Sequence, residues 1–220
     1  MWSAVVNRMN RVNPQSIVIF FFFTVAGLSF SGCNSVSPVV KIGLVGPFEG
    51  KHRDIGYDVI YSERMAVREV NRRGGIGDYR LALVALDDFG DPDSAKEMAA
   101  SLATDEAVMV VIGHWLSETS QSAAQVYEEL GVPIILAGEV PFGPIDPTSL
   151  PPDFVTAYSE ITPFDEVAGP YAAAGYDALY LAVYALDLVQ QQDGIISRER
   201  VGEVLNGLVY DGITGPVYAP

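Results

Sequence analysis

The sequence predicts an α/β fold, a doubly wound parallel sheet with helices on both faces. Three observations carry this prediction. Strand-length runs that are apolar almost throughout (VVKIGLVG, RLALVAL, AVMVVI, VPIILAG) alternate with stretches of helical period, and near-continuously apolar strands are those covered on both faces. Glycine, proline and aspartate punctuate each change of pattern, where they end one element and start the next. Finally, a chain of 220 residues that is 49% hydrophobic can bury a sizeable core, yet it has no room for two full lobes of about 150 residues each.

The first strand lies in VVKIGLVGPFEG, residues 39–50, and stops at Gly46-Pro47. Over residues 55–73, Val59, Ile60, Ala66, Val67 and Val70 recur at three- and four-residue intervals between charges, an amphipathic helix closed by Gly74-Gly75. RLALVALDDFG is the second strand. DPDSAKEMAASLAT then opens a helix, with Asp91 as N-cap and Pro92 at the first helical position. AVMVVIGHWLS is the third strand, followed by a helix from about Glu118 to Leu130 that closes at Gly131, and VPIILAG is the fourth.

Residues 138–154, GEVPFGPIDPTSLPPDF, gather five of the 14 prolines. Proline fixes φ and removes a donor, which suits a surface crossing that pairs with nothing. Beyond it, DFVTAYSEI is a short helix, and PYAAAGYDALYLAVYALDLVQQQ is a long one, apolar on most sides and hence buried. SRERVGEVLNGL carries Ser197 as N-cap with Val201, Val204, Leu205 and Leu208 on one face, and YDGITGPVYAP reads as a turn and one short strand.

The N-terminus carries an export signal. Arg8 and Arg11 precede an apolar run of 14 residues, 17–30, shorter than the roughly 20 of a spanning helix and typical of a signal-peptide core. It ends in SFSGCNS, where Cys33, the single cysteine, follows Ser31 and Gly32. This resembles a bacterial lipobox, with Phe30 where leucine is usual. Cys33 is then the lipidated first residue of the mature chain, residues 1–32 the signal, 33–38 a spacer and 39–220 the globular part. The alternative is a retained membrane anchor with an incidental thiol. Either way the protein is exported and tethered to the extracytoplasmic face of a bacterial membrane, and a lone thiol forms no internal disulfide. The net charge of −15, more negative still once Arg8 and Arg11 are lost, repels nucleic acid and anionic headgroups.

Ligands of an open parallel sheet bind outside the carboxyl ends of its strands, here residues 46–50, 87–90, 113–117 and 137–139. Ser117 and the backbone N–H groups after it lie where a helix begins, a place to hold a carboxylate or simply an N-cap. His114, Ser117 and Asp88 could meet as base, nucleophile and orienter, but their spacing gives no support and the G-x-S-x-G elbow is absent. Asp88 and Asp91 organise the turn after the second strand more readily than Asp87-Asp88 hold a cation. Neither G-x-G-x-x-G nor G-x-x-x-x-G-K-[ST] occurs, and two histidines, His52 and His114, with one cysteine give no transition-metal set. No catalytic, metal or cofactor site is expected.

KIGLVGPFEG, GYDVIYSERMAVREVNRRGGIGDYRLALVALDDFGDP, VVIGHWLSETSQSAAQVYEELGVPII and YDALYLAVYAL followed by YDGITGP are similar in order and local spacing to the motifs of type I periplasmic binding proteins, the receptors of branched-chain amino-acid ABC transporters. The resemblance covers most of residues 39–218. It implies a Rossmann-like first lobe assembled from two separated halves, the second carrying Tyr176-Asp177-Ala178, with the second lobe largely absent and residues 138–154 in its place. It also implies an amino acid or related small polar ligand whose carboxylate is held by Ser117 and groups after the fourth strand. The candidate ligand-binding residues are Phe48, Glu49, Gly50, Trp115, Ser117, Ala137, Gly138 and Glu139. Glu49 stands where a small hydroxyl residue is common in that family, and the fourth-strand threonine has no counterpart in LAGEV.

Two functions follow. One is a lipid-anchored solute-binding protein, not an enzyme, partnered with an ABC permease and weak in binding because half a cleft buries little of a ligand. Glu49, Glu118 and Glu139 would crowd that cleft with negative charge. The other is an interaction module in which an exposed apolar face of Phe48, Trp115, Leu116 and Phe142 is covered by another chain, with homodimerisation rebuilding a two-lobed cleft.

Overall fold

The computed structural model describes residues 37–164 and 166–219. The signal peptide, most of the spacer and Cys33 lie outside the described residues.

The four apolar runs form one parallel sheet in the order β2-β1-β3-β4. β1 (Val39–Gly46) pairs with β2 (Arg80–Asp87) along its whole length, Val39 opposite Arg80 and Gly46 opposite Asp87. On its other side β1 pairs with β3 (Val108–Ile112), Leu44 opposite Ile112 after a register shift at Lys41/Ile42. β4 is shorter than VPIILAG promised: it is Ile134–Ile135 alone, paired to Val111 and Ile112. It forms the sheet's edge, and the positive φ of Gly138 (99°) turns the chain away soon after it.

Alternation along the central strands divides the core. Ile42, Leu44, Val110 and Ile112 face α1 (Arg53–Arg72) and α5 (Ala172–Asp193), whereas Val45 and Val111 face α2 (Pro92–Thr104) and α3 (Ser117–Leu130). Both faces of the sheet are therefore covered, as a parallel sheet requires. The helix ends follow the expected chemistry: Asp91 accepts from the Ser94 N–H at 2.8 Å with Pro92 opening α2, Gly131 ends α3 in the left-handed conformation, and Ser197 caps α6 (Arg198–Leu205). α4 (Pro152–Ile161) follows the proline-rich segment.

α5 is long and apolar enough to cross a membrane by length and composition, but here it is the core helix. It is closed in by α1, by α6 and by an antiparallel hairpin, β5 (Val209–Gly212) and β6 (Gly215–Tyr218), where a single strand was expected. The buried Asp177 carboxylate explains the hairpin. It accepts from the Ile213 and Thr214 N–H groups and from the Thr214 hydroxyl, and so fixes the turn against the helix. α1 and α5 approach closely at Gly175, where a Cβ would stand 2.7 Å from Ser62 Oγ and 3.0 Å from Val59 Cα. Along the same seam the Tyr176 and Tyr180 hydroxyls donate to Glu69, Arg73 donates to Tyr180, and the Tyr171 N–H donates to Asp58. At the amino end of β3, Arg198 ties α6 to the carbonyls of Ala103, Asp105 and Val108.

One residue of α1 breaks the pattern. Glu63 is fully buried, and among the described residues nothing donates to either of its carboxylate oxygens. Burial pushes its pKa well above the ordinary 4.5, and burial likewise pushes Asp58 up to about 6 despite the Tyr171 and Gly169 N–H groups. A carboxyl whose folded pKa is raised binds its proton more tightly in the fold. Its contribution is therefore fully present below the unfolded pKa and is lost as pH rises through the folded one. The unfolding midpoint in urea should rise as pH falls from 7 towards about 5. Glu63→Met should stabilise the chain at neutral pH by about 1–3 kcal/mol, a gain that shrinks on acidification. A destabilised Glu63→Met with an unchanged pH profile would contradict this.

Candidate functional site

The carboxyl ends of β1, β2 and β3 are bound together from beneath. Asp87 accepts from the Phe48 N–H (2.9 Å) and the Phe89 N–H (2.8 Å), joining the loops after β1 and β2. Asp88 accepts from the Gly90 N–H through one oxygen and meets His114 Nδ1 at 2.6 Å through the other. His114 Nε2 lies 3.3 Å from the Tyr127 hydroxyl. Asp88 and Asp91 thus organise the turn after β2, as expected, while Asp87 joins it to the loop after β1.

The His114–Asp88 pair does form, but not as part of a hydrolytic site. Both side chains are fully buried, the far nitrogen meets a tyrosine, and it is Ser120 rather than Ser117 that bonds to His114, through the backbone carbonyl at 2.5 Å. The arrangement is a buried brace between the loops after β2 and β3 and the body of α3.

Above this brace lies a cavity of about 280 Å³ lined by Ser117, Ser120, Gln121, Ala124, Leu136, Ala137, Glu139 and Val140. Its size is just below the roughly 300–1,000 Å³ usual for ligand pockets. α3 presents residues 117, 120, 121 and 124, the i, i+3, i+4, i+7 stripe of one helix flank. The cavity therefore runs along the side of α3. Its opposite wall is the segment leaving β4, which Gly138 holds in place. A Cβ at Gly138 would lie 2.2 Å from the Trp115 carbonyl oxygen, and its φ of 99° suits glycine. The Gly138 N–H donates to the Phe142 carbonyl, and the Phe142 N–H to that of Glu139, closing the turn on itself.

Of the sequence-derived residues, Ser117, Ala137 and Glu139 line the cavity. Phe48 is half-buried, Glu49 and Gly50 are exposed on the neighbouring loop, and Gly138 shapes the wall. Trp115 lies below: its indole is 2% exposed and packs edge-on against Tyr171 at 6.1 Å. Phe142 is fully buried as well. Of the four residues of the expected apolar face, Trp115 and Phe142 are therefore buried, because the turn at 138–142 folds Phe142 inward, whereas Phe48 and Leu116 are half-buried. Ser117 is not the N-cap of α3. Leu116 holds that position without a side-chain cap, Ser117 is the first helical residue, and its hydroxyl oxygen accepts from Gln121 at 3.4 Å. Ser120, Gln121, Ala124, Leu136 and Val140 were not singled out from the sequence. Counting helical period forward from Ser117 would have found the first three.

A second concavity, of about 220 Å³, lies among Arg73, Tyr180, Tyr184, Asp187 and Tyr210. Arg73 already sits over the Tyr180 ring at 5.4 Å, and Tyr180 and Tyr210 stack at 6.0 Å, so the aromatic faces and the cation satisfy one another.

The model of a family described as periplasmic binding protein matches residues 39–152. The chain is 28% identical over 192 residues to the Leu/Ile/Val-binding protein of Escherichia coli K12, covering 84% of this chain and 47% of that protein. It is 32% identical over 117 residues to a leucine-, isoleucine-, valine-, threonine- and alanine-binding protein of Pseudomonas aeruginosa, covering 53% and 31%. The chain spans about half the length of the curated relatives it matches. Among solved structures it is similar to the branched-chain amino acid transporter substrate binding protein of Streptococcus pneumoniae in complex with isoleucine, with TM-score 0.67, 14% identity, and coverage of 82% of this chain and 91% of that one. It is also similar to a leucine binding protein of Thermotoga maritima, with TM-score 0.63, 14% identity, and coverage of 80% and 90%. These two likenesses are of fold. With more than half of its length matched by the family model, the chain belongs to the periplasmic binding protein family.

Proposed function

We propose that the chain is an exported, lipid-anchored solute-binding protein of the amino-acid ABC transporter type, reduced to one lobe and weak in ligand binding. The observation that carries this reading is the small, partly apolar cavity at the carboxyl ends of β3 and β4 in a member of this family. Family relatives are named for binding leucine, isoleucine and valine, and the Ala124, Leu136, Ala137 and Val140 walls suit a branched aliphatic side chain of that size. Residues 138–154 stand in place of the second lobe as a proline-rich crossing. With one wall of the cleft lacking, an open site buries much less than the 70–90% of ligand surface typical of small-molecule pockets, and affinity falls towards the millimolar range, about −4 kcal/mol. Lipid on Cys33 would keep such a receptor beside its permease.

Two measurements test the reading. For the purified full chain in mild detergent, leucine, isoleucine or valine should raise the melting temperature in a dose-dependent way, and Ser117→Ala should weaken the effect about three- to tenfold. No shift with any of the three, from a chain that melts cooperatively, would contradict the solute-binding reading. In cells that process lipoproteins, Cys33→Ser should move the protein from the lipid-modified, membrane-held form to one that takes up no labelled fatty acid. Equal labelling of both forms would contradict lipidation at Cys33.

A further inference from the structure

We infer that the free edge of β4 is a docking site for an extended, basic peptide segment of another protein, which adds to the sheet as a fifth strand. The inference is independent of the small-ligand reading.

The register fixes which backbone groups face outward. The Pro133 and Ile135 carbonyls accept from the Val111 and Gly113 N–H groups on the β3 side. Successive residues of a strand turn their N–H and C=O to opposite sides, so those of Ile134 and Leu136 point away from the sheet. Among the described residues, none of these four groups has a hydrogen-bond partner. Pro133 does not close the edge, because its nitrogen lies on the β3 side. The other edge of the sheet is partly closed: on β2 the Asn71 side chain donates to the Leu81 carbonyl and accepts from the Leu81 N–H.

Hollows flank the β4 edge on both faces of the sheet. On the α3 face lies the cavity already described, which reaches β4 at Leu136 and Ala137. On the α6 face another hollow, of about 280 Å³, reaches β4 at Pro133 and Ile134 and is walled by Gly202, Leu205, Asn206 and Ala219. The two lie three residues apart along the chain, an odd step. Side chains of an added strand alternate between faces, so residues three apart on it enter the two hollows in turn. Sheet-edge addition works in this way: backbone hydrogen bonds supply affinity, and pockets for alternate side chains supply selectivity. Ala124, Leu136 and Val140 on one side, and Pro133 and Leu205 on the other, suit aliphatic side chains.

Charge decides what kind of segment fits. Residues 97–197 contain fifteen Asp and Glu and no Lys or Arg, so this stretch carries the whole net charge of −15. α3, β4 and the crossing after it all lie within the stretch. The two arginines of α6 are engaged, Arg198 with the carbonyls at the start of β3 and Arg200 with Asp193 and Glu203. Natural sheet edges are often guarded by lysine, whereas α3 and the segment after β4 offer acids alone: Glu118, Glu128, Glu129 and Glu139. A cationic segment is drawn to such an edge, and a second copy of this acidic chain is repelled from it.

Fluorescence anisotropy on the full chain in nonionic detergent tests this with a labelled octapeptide, Lys-Lys-Val-Leu-Val-Leu-Lys-Lys. The peptide should bind, and its counterpart with glutamate for each lysine should bind about tenfold more weakly or worse. N-methylation of the four central amides keeps charge and side chains but removes the strand's donors, and should weaken binding about tenfold. Leu136→Pro, which deletes one outward N–H of the protein, should do the same in a chain that still melts cooperatively; if that variant does not fold, the methylated peptide decides. Equal binding of the methylated and unmethylated peptides would overturn the inference, because charge alone would then hold them. No binding of the basic peptide would overturn it as well. So would a dimeric molar mass that Leu136→Pro reduces to a monomer, since a second copy would then cover the edge.

Discussion

The structure depends on the packing of α5 against α1. The sheet has two faces, and the one formed by Ile42, Leu44, Val110 and Ile112 is covered by helices from opposite ends of the chain, α1 early and α5 late. Each such side chain is worth about 1.5–3 kcal/mol when fully buried, so the fold needs both helices in place. Close approach is made by the absence of a side chain at Gly175 over Val59 and Ser62. Specific register comes from the polar seam: Asp58 to the Tyr171 N–H, Glu69 to the Tyr176 and Tyr180 hydroxyls, and Asp177 to the hairpin turn. The proline-rich stretch between the halves therefore only has to span the gap, since α5 is positioned by what it packs on.

The other face of the sheet carries the helices beside the candidate cavity. α2 and α3 pack through small and aromatic residues, Ala95, Ala99, Ala123 and Tyr127, and the buried His114–Asp88 brace holds the strand-end loops to α3. A rigid floor of this kind leaves the flank of α3 and the segment after β4 as the two walls of an open cavity.

Much of this was legible in the sequence, and the reasons differ by element. β1, β2, β3 and α1 announce themselves because fully covered strands must be apolar throughout and a one-sided helix must not. Asp91-Pro92 and Gly131 mark helix ends through local chemistry that needs no tertiary contact. β4 was overread, since VPIILAG has strand composition but lies at a sheet edge with a glycine that bends the chain away. Ser117 has the residue type of a cap but sits one position inside the helix. The burial of Trp115 and Phe142 depends on a turn closed by the Gly138 N–H on the Phe142 carbonyl and packed closely on the Trp115 carbonyl, and nothing in residue type announces that. Glu63 gave no signal at all, because the same spacing on α1 would serve an exposed carboxylate equally well.

Hydrogen exchange of the full chain in detergent tests the central claim most directly, namely that α5 and the central strands β1 and β3, which lie far before it in the chain, form one cooperative lobe. The account predicts that the slowest amides of α5 and those of β1 and β3 open with a common free energy, as one unfolding unit. If α5 exchanged orders of magnitude faster than β1 under the same conditions, the two halves would not be one lobe and the account would be wrong.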